Sequence, residues 1–109
     1  MAENTYQFPK DEVLVKQYEL AMVLAPDLEE TDRDELLELI RKMIVNLGGQ
    51  VDKTSEDGKK VLAYPIAKYT EAYYYFWNIS LPTDKVNELD TRVRYEEKII
   101  RHLLVKADE

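Results

Sequence analysis

The stretch Tyr73-Tyr74-Tyr75-Phe76-Trp77-Asn78-Ile79-Ser80-Leu81 limits the fold more than any other part of the chain. Nine residues without glycine or proline, five of them aromatic at the start, favour a strand. Alternation puts Tyr73, Tyr75, Trp77, Ile79 and Leu81 on one face and Tyr74, Phe76, Asn78 and Ser80 on the other. Both faces carry large aromatics, so the strand belongs inside a sheet. One face is expected under helices, and the other is left to stack bases or to pack a partner.

A second strand alternates from Lys16, with Tyr18, Leu20, Met22 and Leu24 against Gln17, Glu19, Ala21, Val23 and Ala25. Its second face is also mostly apolar, which again predicts a central position, and Pro26-Asp27 ends it. A helix follows. Thr31 or Asp32 is its expected N-cap, with Asp34 and Glu35 three residues later completing a capping box for either choice. Leu36, Leu37, Ile40, Met43, Ile44 and Leu47 form its inner stripe, and Gly48-Gly49 stops it. The acids Asp27, Glu29, Glu30, Asp32 and Asp34 suit the positive end of the helix dipole, and their spacing is not that of a calcium loop.

Val51 to Ser55 and Val61 to Tyr64 read as one long strand bulged at Asp57-Gly58, ending or lying at an edge where Pro65 lacks an N–H. The connection Ile66 to Ala72 leads into the aromatic strand. Pro82-Thr83-Asp84 then caps a second helix with Val86, Leu89 and Val93 inside and Arg92 and Arg94 near its end. In the last strand, Lys98 to Lys106, Ile99, Arg101, Leu103 and Val105 alternate with Ile100, His102 and Leu104. The order βαββαβ predicts an α+β, ferredoxin-like fold: a four-stranded antiparallel sheet with both helices on one face. Right-handed crossovers place the first and third strands in the middle. Residues 16–106 form this single domain, residues 1–15 a mobile N-terminal extension and residues 107–109 a short tail.

Of 109 residues none is cysteine and one is histidine, which removes thiolate chemistry and cysteine-based metal sites. His102, on a strand among apolar neighbours, is expected to be packed or partner-facing. No P-loop, dinucleotide fingerprint or nucleophile with its base is present, so neither catalysis, a cofactor nor a small-molecule substrate is expected. No leader and no apolar run of membrane-spanning length is seen, which points to an intracellular protein without membrane contact. The net charge of −7 argues against nucleic acid until its distribution is considered. Residues 1–35 hold ten acids and three bases, while residues 36–109 hold twelve of each. The second part is neutral with local basic patches, so a phosphate-binding role calls for a partner that shares the task.

Those patches centre on Asp57-Gly58-Lys59-Lys60-Val61-Leu62-Ala63-Tyr64-Pro65-Ile66-Ala67-Lys68. Lys59, Lys60, Tyr64 and Lys68 on an exposed hairpin suit a phosphate backbone, or else protect an edge strand from pairing. A stand-alone RRM-like reader of single-stranded RNA is the alternative. It would stack bases on the aromatic strand, at about 1–3 kcal/mol per base, yet the strand lacks the interleaved basic residue and glycine of that module.

From Lys16 to Lys106 the chain resembles the family of the sixth protein of the bacterial small ribosomal subunit. The resemblance rests on Tyr18-Glu19, Pro26-Asp27, Leu62-Ala63-Tyr64-Pro65-Ile66 with Lys68, Tyr73-Tyr74, Arg94, and Ile100-Arg101-His102-Leu103-Leu104-Val105. It implies a non-catalytic, cytoplasmic ribosomal component that binds the central domain of small-subunit ribosomal RNA together with the eighteenth small-subunit protein. The family's basic positions fall on Lys16, Lys59, Lys60, Lys68 and Arg94, which with Tyr64 are the expected RNA contacts. Tyr74, Phe76, Arg101 and His102 are expected to meet the partner protein. Asp57 stands where the family commonly has an aromatic, and Met1 to Val15 is longer than the usual start.

Overall fold

A computed structural model describes residues 14–107, so the expected extension lies outside the described residues up to position 13. The elements run β1 (Val15–Leu24), α1 (Glu30–Asn46), β2 (Gln50–Ile66), β3 (Tyr69–Pro82), a 3-10 turn (Thr83–Lys85), α2 (Val86–Arg94) and β4 (Ile99–Lys106). Four antiparallel strands lie in the order β2-β3-β1-β4, the ferredoxin-like arrangement, with β1 and β3 central as the two-faced apolar patterns required. Both helices pack on one face. The core there joins Leu20, Met22 and Leu24 of β1, Tyr75, Trp77, Ile79 and Leu81 of β3, Ile40 and Ile44 of α1, and Leu89 and Val93 of α2.

Helix α1 begins one residue before the expected caps. Glu29 holds the N-cap position without a side-chain cap bond, which places Thr31 and Asp32 inside the first turn. The first-turn acids Glu30 and Asp32 complement the helix dipole instead. Its C-terminus is built as the glycines require. Gly48 takes φ +94°, its N–H donates to the Val45 carbonyl, and the Gly49 N–H donates to the Ile44 carbonyl, the double closure of a Schellman motif. Against the sheet, Arg33 Nε donates to the Tyr75 hydroxyl at 2.9 Å while its guanidinium lies 3.9 Å from the Tyr73 ring centroid. Burial pushes the Tyr75 phenol up from its ordinary value.

Strand β2 is longer than expected and bulges three times. The pairing slips at Asp52, at Asp57 before Gly58 (φ +79°), and between Val61 and Ile66 around Pro65. The looped-out Asp52 accepts from Ser80 Oγ and Gln50 Nε2, both at 2.6 Å. β2 is an edge strand, where a proline costs no central ladder bond. The expected connection Ile66 to Ala72 shrinks to two residues, Ala67 and Lys68, both left-handed at φ 50° and 72°. Two positive φ angles between paired Ile66 and Tyr69 make a tight hairpin turn of the type that Asn-Gly ordinarily builds. Replacing Ala67 by Asn and Lys68 by Gly is therefore expected to raise the unfolding free energy by about 1 kcal/mol in urea titration. A double variant that is destabilised would contradict this turn.

Strand β4 changes phase once. Between Val23 and Leu24 its register slips, so Leu24 meets Ile99 while Val23 meets Arg101. Ile99 joins the helix-side core, whereas Ile100 packs with Val23, Leu62 and Ala72 on the opposite face. From there Arg101, Leu103 and Val105 share the open face with Glu19, Ala21 and Val23, and His102 and Leu104 turn towards the helices. The expected single alternation along β4 is corrected by this bulge: Ile99 and Ile100 exchange sets.

Candidate nucleic-acid interface

Three segments converge at the end of the sheet where β1 stops. The Ala25 N–H donates to the Lys98 carbonyl at 2.9 Å, which joins the α2–β4 loop to the end of β1. Asp27 then accepts from the Tyr69 hydroxyl at 3.3 Å and from Lys98 Nζ at 3.4 Å, bringing the turn end of the β2–β3 hairpin to the same point. The Asp27 bond raises the Lys98 ammonium above its ordinary value, so it stays charged throughout the neutral range.

This end gathers Lys59, Lys60 and Lys68 of the hairpin, Arg94 at the end of α2, and Lys98 and Arg101 at the start of β4. Lys59 and Lys60 lie beside Tyr73 and Ala72 in register and are exposed, and Lys68 sits in the turn itself. Lys59 Nζ stands 5.6 Å from the Tyr73 ring centroid and Lys68 Nζ 5.9 Å from that of Tyr69. Three of the cations are paired at the surface, Lys60 with Asp57 at 3.5 Å, Arg94 with Asp90 at 2.6 Å and Lys98 with Asp27 at 3.4 Å. Exposed pairs of this kind contribute about 0–1 kcal/mol, so a phosphate can displace the carboxylate at little cost. Lys16 is not part of this group. It pairs with Leu81, eight residues along β3 from Tyr73, roughly 26 Å away at about 3.3 Å per residue.

The sheet face opposite the helices holds the other expected residues. Tyr74 and Phe76 lie side by side on it with ring centroids 6.4 Å apart. A groove lined by Val23, Leu62, Tyr64, Tyr74 and Arg101 opens beside the hairpin. The structure thus joins Tyr64, expected on RNA, to Tyr74 and Arg101, expected on a partner. Further along, Ala21, Phe76, Leu103 and Val105 form an apolar hollow edged by Glu19 and Asn78. Leu103 is 60 % exposed and Phe76 42 %. Leu103 and Val105 are the members of this patch that the sequence pattern missed, because the β4 bulge that turns them outward has no residue signature.

His102 is set apart from Tyr74, Phe76 and Arg101. It points to the helix side, mostly buried, with Nε2 2.7 Å from Asp90 Oδ1 of α2. Trp77, Tyr73 and Tyr75 are also on the helix side, with the Arg41 guanidinium 5.5 Å from the Trp77 ring centroid. Base stacking on this strand is thereby restricted to Tyr74 and Phe76. Among the described residues no helix is long and apolar enough to cross a membrane.

The family model described as Ribosomal protein S6 matches residues 17–106, every strand and both helices but for the first two residues of β1. The chain belongs to the ribosomal protein S6 family. Small ribosomal subunit protein bS6 of Caldanaerobacter subterraneus is 37% identical over 95 residues, covering 87% of this chain and 100% of that protein. The protein of the same description from Thermus thermophilus is 34% identical over 95 residues, covering 87% and 94%. The crystal structure of 30S ribosomal protein S6 from Thermotoga maritima superposes with a TM-score of 0.81 at 27% identity, over 86% of this chain and 89% of that one. Family membership makes the chain a small-subunit ribosomal protein, a component of translation and not an enzyme.

Proposed function

We propose that this protein is a structural constituent of the small ribosomal subunit in the cytoplasm, where it binds the central domain of the ribosomal RNA cooperatively with the eighteenth small-subunit protein. In this reading the hairpin end holds phosphates through Lys59, Lys60, Lys68 and Arg94, and the open sheet face receives the partner on Tyr74, Phe76 and Arg101. One observation carries it: Tyr64 of the basic hairpin lines the same groove as Tyr74 and Arg101 of the open sheet face. A partner seated on that face borders the same RNA as the lysines. A chain of net charge −7 has little general attraction for RNA, and a partner that contributes its own phosphate contacts raises the effective concentration of the few cations present.

The double change Lys59→Glu with Lys60→Glu is expected to weaken binding to a central-domain RNA fragment, in the presence of the partner, by about tenfold to a hundredfold. Losing two phosphate contacts also lowers the slope of log affinity against log salt by about 2. Filter binding across a salt series checks both. An unchanged affinity and slope would remove the hairpin from the RNA interface. Lys16→Glu, made separately, tests the opposite end of the sheet.

A further inference from the structure

The β2–β3 hairpin runs on past the end of β1. Strand β1 stops at Leu24 opposite Tyr73, while β2 and β3 stay paired beyond that point as far as Ile66 and Tyr69. A two-stranded ribbon is marginal by itself, so its direction depends on what touches it from each face. On the open face Leu62 and Ala72 pack with Val23, and Ile100 lies against them. At the tip, Tyr69 reaches back to the body of the domain, its hydroxyl donating at 3.3 Å to Asp27 Oδ2, 42 residues away in sequence. The Tyr69 ring in turn carries Lys68 Nζ at 5.9 Å from its centroid. Lys98 Nζ lies 3.4 Å from both Asp27 oxygens and offsets their charge.

By charge alone Asp27 is out of place, because an acid among phosphate-binding cations repels the ligand and occupies Lys98. Its bonds give it another use. Lys68 is exposed in a left-handed turn at φ 72°, with many rotamers to lose on binding. A ring fixed beside it before binding removes part of that loss in advance. We propose that Asp27 is a positioning residue for the RNA contact at Lys68, acting through Tyr69: the carboxylate fixes the ring, and the ring aims the lysine and the hairpin tip. This inference rests on the reading of Lys68 as a phosphate contact and adds the group that places it.

Charge and positioning predict opposite signs for Asp27→Ala. Removing the acid relieves repulsion and frees Lys98, so by charge alone the variant binds the central-domain RNA fragment more tightly when the eighteenth small-subunit protein is present. Positioning predicts an affinity about threefold to tenfold lower, with the slope of log affinity against log salt not reduced, since no cation is lost. Tyr69→Phe is expected to lose as much, and the two changes together no more than either alone, because one bond is broken in every case. Asp27→Asn keeps an acceptor for the Tyr69 hydroxyl and is expected to restore most of the affinity. Thermal unfolding of the Asp27 and Tyr69 variants is expected to shift by less than about 4 °C, while amide exchange between Val61 and Ala72 quickens in the free protein. Lys68→Ala separates the two claims. If it weakens binding and lowers the salt slope by about 1, while Asp27→Ala binds as well as the parent or better, the positioning role is overturned and the phosphate contact stands. If Lys68→Ala changes nothing, both fall.

Discussion

Replacing Trp77 by alanine is expected to lower the unfolding free energy by about 3–5 kcal/mol, the range for emptying a large aromatic site in a core. Trp77 is 4 % exposed at the middle of β3, between Leu20 of β1 and Thr54 of β2, with α1 across its face. A domain of this size has about 5–15 kcal/mol to lose, so the loss is a large fraction of the total. Urea titration should show a midpoint reduced by more than about 1 M at unchanged slope. Phe76→Ala, one residue along and on the open face, is expected to cost less than about 1 kcal/mol while weakening contact with whatever covers that face. If Trp77→Ala were as stable as the parent and lost RNA binding by itself, Trp77 would belong to a stacking platform and the RRM-like reading would regain its footing.

Gly49→Ala is expected to be nearly as damaging, for a different reason. A Cβ at this position would run into the Ser80 carbonyl oxygen of β3, with Leu81 Cδ1 at 3.0 Å and Ile44 Cγ2 at 3.2 Å closing the other sides. A backbone oxygen in a central strand cannot step aside as a side chain can, so α1 must lift from the sheet, at about 3 kcal/mol or more. Gly58 makes the comparison. It has φ +79° and nothing within 4 Å of a Cβ, so Gly58→Ala bears only the left-handed penalty of about 1–2 kcal/mol. Thermal unfolding should drop by roughly 12 °C or more for Gly49→Ala and by less than about 10 °C for Gly58→Ala. Equal drops would mean that close packing at Gly49 is not what holds the helix end to β3.

The parts of this fold that were legible in the sequence are those written in repeated side chains. The two-faced patterns of β1 and β3 gave their central places, and the paired glycines gave the end of α1. The start of α1 was not legible, because Thr31 and Asp32 match a capping box that the backbone does not use, the chain entering the helix at Glu29. The hairpin turn was missed because Ala67 and Lys68 take left-handed angles that their side chains do not advertise. The site divides in the same way. Lys59, Lys60 and Lys68 share the hairpin because they are near in sequence, and the α2–β4 loop brings Arg94 to the same end of the sheet at its opposite edge. Lys16 is separated from its expected group by strand length, a property of the assembled sheet, and His102 by the plain alternation that puts it on the face opposite its neighbour Arg101.

The most direct measurement of the central claim is a gel-shift titration of a central-domain ribosomal RNA fragment with this protein, with and without the eighteenth small-subunit protein, at two salt concentrations. The expected result is a shift that requires both proteins and weakens as salt rises, as phosphate contacts must. A tight shift by this protein alone, or no shift in any combination, would contradict it.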